Sequence, residues 1–252
     1  IRDAQESRGL GDVYKRQLDR DEIALTDSVQ ISPRAAAMKG SQALLDASAV
    51  YPLEDLLRTT IMASANDSAV ALSEYIAGSE ENFVDRMNRR AAELGMTNTN
   101  YVNCTGYPQS GQYTTARDVC RLCCEIAKHP RYNQYASVWI DKLTHPGGRV
   151  TDLTNTNRLV RFYEGCDGYK TGSTDAAKYC LAATAEKNGM RLVAIVLGTP
   201  VSQTRFNEAR QMLDYGFATY RRVVIANKGD LLGQNVEVRG GSAERVCLLY
   251  PS

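Results

Sequence analysis

The 252-residue chain has little of what several function classes require. Thirty Lys and Arg stand against twenty-nine Asp and Glu, a formal net charge of +1. The strong basic field that nucleic acid or anionic lipid demands is therefore missing. No apolar run reaches the ~18 residues of a membrane-spanning helix, and residues 1–17 contain no signal-peptide h-region. Seven Pro and 19 Gly are too few for a collagen or low-complexity chain. No internal repeat is visible. Only two histidines occur, His129 and His145, each beside a proline, and neither is given a role.

What is present is an ordinary globular composition, 43% hydrophobic and 23% charged. A chain of this size can bury roughly 75% of its unfolded surface in one core. The seven cysteines are an odd count, and Cys120, Cys123 and Cys124 crowd one segment. With two histidines and no second Cys-x-x-Cys, a four-ligand zinc site is not supported. These cysteines read as small buried hydrophobes on a helix over 115–128. Residues 7–17 resemble translated sequencing-adapter sequence, and 246–252 have the same character. Both ends, 1–17 and 246–252, are set aside as non-native or disordered.

Helices come first along the chain. Pro52 starts one whose stripe is Leu53, Leu56, Leu57 and Ile61. Asn66-Asp67 are placed to cap a second, Ser68 to Ala77, stopped by Gly78. Ser79 caps a third with Phe83, Met87, Ala91 and Leu94 on one face. A long polar loop from Gly95 to Arg117 contains no Asp or Glu. Strands follow. Tyr179–Glu186 and Arg191–Gly198 flank Asn188-Gly189, a hairpin signal, and Gly168–Thr171 form or end a neighbouring strand. Ser202 caps a last helix with Phe206, Ala209, Leu213, Phe217 and Tyr220 on its apolar face. Beyond 222 the glycines multiply between short β runs, which marks a boundary.

Two short motifs carry chemistry: Ser64-Ala65-Asn66 at a helix junction and Lys170-Thr171-Gly172-Ser173 beside the hairpin. Ser-x-Asn alone is expected about once by chance in such a chain, and Lys-Thr-Gly in roughly one chain in twenty. Order and context raise both. Each residue also has a plain structural reading. Ser64 and Asn66 would cap a helix. Lys170 would be an exposed edge-strand lysine, and Arg205 a solvated first-turn residue. Asp67 reads as a cap and Asp167 as a turn residue.

At these motifs the chain resembles the low-molecular-weight penicillin-binding proteins, the serine D-alanyl-D-alanine carboxypeptidases of the peptidase S11 family. The resemblance runs from about Leu18 to Arg222. It includes the stretches 53–57, 64–72, 93–99, 111–118, 155–159 and 167–172. It implies an α/β (α+β) transpeptidase-like fold, an antiparallel sheet with helices on both faces beside an all-helical half. The domains expected are 18–222 for that unit and 223–245 for the start of a small C-terminal β domain. The implied chemistry is removal of the terminal D-Ala from peptidoglycan stem peptides through an acyl-enzyme. Ser64 would relay a proton to the leaving nitrogen, and Asn66 would hold the substrate backbone. Lys170 would supply positive potential. Thr171 and Gly172 would line a ligand lying like an added strand. The Ser173 N–H would be an oxyanion donor, and Arg205 would read the terminal carboxylate. No metal or cofactor is implied. β-Lactams would be covalent inhibitors of the intact parent, and the setting is the bacterial envelope outside the cytoplasm. Members often end in a membrane anchor, and this chain stops before one.

The family's Ser-x-x-Lys nucleophile motif is missing. No Ser is followed by Lys at the third position, and Thr184–Lys187, the nearest imitation, lies on a strand. By resemblance the motif would sit about sixty residues before Ser64, within the suspect N-terminal stretch. Truncation is the expected cause, and the chain as written is expected to be inert. Two alternatives stay open. One is a non-catalytic peptidoglycan-binding relative. The other is a class A β-lactamase, which the carboxylate-free loop 95–117 disfavours because that chemistry needs a Glu there.

Overall fold

The computed structural model describes residues 23–225 and one short strand pair, Val236–Glu237 with Arg245–Val246. The expectations for 1–17, for 247–252 and for most of 223–245 lie outside the described residues. In chain order the elements are β1 (Ser28–Gln30), α1 (Pro33–Ala36), β2 (Val50–Pro52), α2 (Leu53–Ala63), α3 (Asn66–Ala77), α4 (Glu80–Glu93), α5 (Ala116–Ile126) and α6 (Pro130–Ala136). Then follow β3 (Ile140–Thr144), β4 (Val150–Thr154), α7 (Leu159–Phe162), β5 (Cys166–Thr174), β6 (Lys178–Lys187), β7 (Met190–Thr199) and α8 (Ser202–Thr219). Every described strand pair is antiparallel.

Local chemistry sets most boundaries. α2 opens after Pro52 with Glu54 and Asp55 in its first turn, where acids complement the helix dipole. The Ser79 hydroxyl accepts from the Asn82 N–H to start α4. Thr115 does the same for Asp118 at α5. Asn188 and Gly189 both take positive φ, 53° and 71°, as the tight turn between β6 and β7 requires. α3 departs from expectation. It begins at Asn66 rather than Ser68, and its N-cap, Ala65, offers no side-chain bond. Asp167 lies inside β5, not in a turn. Its carboxylate takes Arg191 of β7 at 2.7 Å and Asn133 of α6 at 2.8 Å. Ser202 is the first residue of α8, not its cap, and Tyr220 lies beyond the helix and is exposed.

Two cores meet at the sheet β5–β6–β7. One gathers Leu53, Leu56 and Leu57 of α2 with Leu72 of α3, Phe83 of α4 and Leu122 of α5. Tyr169 of β5 and Ala182 of β6 face into it. The other packs Phe206, Ala209 and Leu213 of α8 on Leu181, Ala183 and Ala185 of β6. Consecutive β6 residues thus serve opposite cores, the period-2 alternation of a sheet covered on both faces. Among the described residues no helix is long and apolar enough to cross a membrane.

Candidate active site

The α2–α3 junction and the β5 edge face each other across a cleft of about 560 Å³. Ser64, Asn66, Thr171, Gly172, Ser173 and Arg205 all line it. The two motifs, far apart in sequence, are therefore brought together.

Ser64 closes α2 in the left-handed conformation, φ 61° and ψ 34°, and is half-buried. That kink turns the chain sharply between two helices and presents Ser64 at the cleft. Its hydroxyl has no partner among the described residues, so it is available to a ligand. Asn66 is only 2% exposed. Its backbone N–H donates to the Ser41 carbonyl at 2.8 Å, and Nδ2 donates to the Lys39 carbonyl at 2.7 Å. Asp67, also buried, accepts from the backbone N–H groups of Ala43, Leu45 and Ser68 at 2.9, 3.1 and 2.9 Å. The Asn66-Asp67 pair therefore staples the segment 39–45 to the start of α3. Neither carries the side-chain cap expected for that helix.

Lys170 is 1% exposed and lies beneath the β5 edge, its Nζ donating to the Thr171 carbonyl at 3.0 Å. A solvated edge-strand lysine is thereby excluded. Arg205 is 8% exposed, so a solvated first-turn arginine is excluded too. Its guanidinium donates to the carbonyls of Gly172 and Cys180 at 3.0 and 3.2 Å and to the Ser202 hydroxyl at 3.2 Å. It also lies over the rings of Tyr179 and Phe206, 5.4 and 4.8 Å from their centroids. Burial lowers its pKa from the usual arginine value. Its Nε is buried without a partner. The result is a fixed cation at the β5 end of the cleft.

Sequence reasoning missed several lining residues. Gly40 and Ser41 form one rim, Tyr107 and Pro108 another, and Thr156 part of the wall. Gly40 has φ +88°, and a Cβ there would come within 2.8 Å of Asn66 Nδ2. The requirement is legible only once the fold places the two side by side. Thr156 is held by its N–H to the Met62 carbonyl at 3.1 Å, and its neighbours lock the segment. Asn155 Nδ2 donates to the Ala136 and Val138 carbonyls, while the Leu159 N–H donates to Asn157 Oδ1. The repeated asparagines were the available signal.

The cysteines divide by depth. Cys123 is buried in the helical core, Cys120 is half-buried and Cys124 is exposed. Among the described residues, no group of three His, Cys, Asp or Glu side chains is arranged to hold a metal ion.

With this geometry in hand, three kinds of likeness matter. The sequence profile of the family described as D-alanyl-D-alanine carboxypeptidase (Peptidase_S11) matches residues 13–201. D-alanyl-D-alanine carboxypeptidase DacF of Bacillus subtilis (strain 168) is 40% identical over 231 residues, covering 92% of this chain and 59% of that protein. The chain thus spans about three fifths of that relative's length. Among solved structures, penicillin binding protein 5 from Haemophilus influenzae superposes with a TM-score of 0.86 at 29% identity, covering 98% of this chain and 72% of the other. Penicillin-binding protein D2 from Listeria monocytogenes, solved in an ampicillin-bound form, gives 0.70 at 28% identity, covering 85% and 86%.

Proposed function

The chain belongs to the D-alanyl-D-alanine carboxypeptidase family, and from that premise we propose that its cleft binds the D-Ala-D-Ala end of peptidoglycan stem peptides. The parent reaction is serine-type hydrolysis through an acyl-enzyme, outside the bacterial cytoplasm. The observation that carries this reading is the convergence of Ser64, Asn66, the Thr171–Ser173 edge and Arg205 on one cleft.

The chemistry follows from the groups present. Hydrolysis of a peptide at its C-terminal residue needs the terminal carboxylate held, the scissile amide aligned and a proton delivered to the leaving nitrogen. Arg205 holds the carboxylate; its guanidinium is always charged and pinned by two backbone carbonyls. The β5 edge aligns the peptide as an added strand, with Thr171 and Gly172 against it. Asn66 contacts the ligand backbone, its Nδ2 already anchored on Lys39. Ser64, whose hydroxyl has no partner among the described residues, relays the proton. Lys170 adds a buried positive charge behind the strand, which favours deprotonated neighbours and negative charge developing in the cleft. The Ser173 N–H serves as an oxyanion donor.

The 252 residues contain no Ser-x-x-Lys. The chain as written therefore binds without forming an acyl-enzyme, because the remaining groups supply no covalent route. An ampicillin-bound relative supports β-lactams as ligands of the intact parent. The carboxylate-free loop 95–117 weighs against β-lactamase turnover.

Two measurements test this. Titration with an acyl-D-Ala-D-Ala peptide should show saturable binding without release of D-Ala. Intact mass after incubation with ampicillin should be unchanged. Failure to bind the peptide removes the site assignment, and a stable mass increase removes the claim of inertness.

A further inference from the structure

The outward face of α5 borders a second, open hollow of about 550 Å³ that shares no lining residue with the cleft. Cys120 and Cys124 both line it. Four residues apart on a helix, they lie one turn above the other, with Cβ atoms about 5–6 Å apart. Their thiols are hydrogen-bonding neighbours. A cysteine in a helix is ordinarily explained by burial, as a small hydrophobe. That account holds for Cys123, which is buried in the helical core. It fails for Cys124, which is exposed, and covers the half-buried Cys120 only in part. The charges around the pair are lopsided. Among the described residues Arg117, Arg121 and Lys128 line the hollow against a single carboxylate, Glu125. That carboxylate is already held by Lys128 at 2.6 Å and by Arg90 at 2.9 Å. The pair of thiols therefore sits in a positive surround.

We propose that Cys120 and Cys124 together form a two-coordinate site for a soft monovalent cation of the Cu+ class. Thiolate donors select such ions over hard ones. A thiolate–metal bond runs about 2.3 Å, so two in line nearly span the gap between the paired side chains. Binding exchanges protons for the ion: two thiols and one Cu+ give a singly negative bis-thiolate complex and two released protons, with no change of oxidation state. Arg117, Arg121 and Lys128 offset that negative charge. Zn2+ fits poorly, because its structural sites take four ligands. Among the described residues no group of three His, Cys, Asp or Glu side chains could hold it. The site lies on one helix face and is independent of the peptide-site reading above.

The test is anaerobic competition of the reduced full chain, carrying Cys247→Ser throughout, against the coloured Cu+ complex of bicinchoninate. The chain should withdraw one Cu+ from the chelator. Cys120→Ser and Cys124→Ser should each hold the ion roughly a hundredfold less tightly, since a lone thiolate lacks the second arm of the chelate. Cys124 is exposed, so its replacement leaves the core untouched, and far-UV circular dichroism checks that both variants fold. In the presence of Cu+, alkylation followed by peptide mapping should find Cys120 and Cys124 protected together. Zn2+ offered alone should not be retained through a desalting column. Failure to withdraw Cu+ overturns the proposal. So does withdrawal that is undiminished in Cys124→Ser, protection of only one of the two thiols, or retention of Zn2+ that depends on the pair.

Discussion

His145 is a polar residue whose sequence neighbourhood says little and whose surroundings say much. It is buried at the end of β3, with Nε2 2.8 Å from the Thr151 hydroxyl. Its Nδ1 lies 2.7 Å from the Tyr51 hydroxyl and 3.1 Å from the Arg149 guanidinium. Arginine only donates, so Nδ1 must accept and the proton of the neutral ring sits on Nε2. Burial first, and the Arg149 charge second, lower the His145 pKa below its usual 6.5; Asp46, 3.7 Å away, and Asp67 oppose the shift only in part. Folding therefore favours the neutral ring. As pH falls through 6.5 the unfolded chain takes up the proton first. Stability from this site is complete above that value and is lost on acidification toward the lower folded pKa. Urea midpoints measured from pH 8 down to about 5 should fall on the acid side. His145→Gln should flatten that decline, and an unaltered slope in the variant would rule out the assignment.

At the scale of elements, α8 comes closest to Leu192 of β7 at Gly216. A Cβ on Gly216 would come within 2.5 Å of Leu192 Cδ1. Only the tip of a half-buried leucine stands in the way, so Gly216→Ala displaces it while gaining about 1 kcal/mol of helix propensity. Its net effect on the urea midpoint should be small. Gly216→Val adds branching that must push helix from strand and should cost about 1–3 kcal/mol. Equal stability of the two variants would mean that the helix does not rest there. Elements also differ in how legible they were. α2, α4, α5, β6 and β7 stood out because caps, stripes and the Asn-Gly turn agree with one another. β3 and β4 were missed, since each sends a single side chain, Leu143 or Leu153, fully into the core. One buried residue per strand leaves no alternation to see. β1 and β2 are three residues each and hide for the same reason.

For the molecule as a whole, the thiols report on integrity. Cys104, Cys123, Cys166 and Cys180 are buried in the packed interior, and Cys124 is exposed. Burial also raises the pKa of Cys104 well above the usual thiol value and that of Cys166 to about 11. Both effects suppress the reactive thiolate. Among the thiols of the described residues, alkylation at neutral pH followed by peptide mapping should label Cys124 before Cys120. The four buried thiols should react only on the timescale of global unfolding. Rapid labelling of Cys123 or Cys180 in the native state would show that the helical half or the sheet does not hold together in this chain.

The sequence by itself determined the helices α2 to α5 and α8, though not α1, α6 or α7, together with the β6–β7 hairpin, the order of the two motifs and the family they indicate. All of these are written in neighbours a few residues apart, through capping, periodicity and turn chemistry. Only the tertiary structure decided that Lys170 and Arg205 are buried, that Asn66 and Asp67 staple residues 39–45 instead of capping α3, and that Gly40, Thr156 and Asp175 share one cleft. Burial and juxtaposition arise between segments far apart along the chain, once the two cores have closed on the sheet. Local pattern holds no record of which distant segment will fill the space beside a residue.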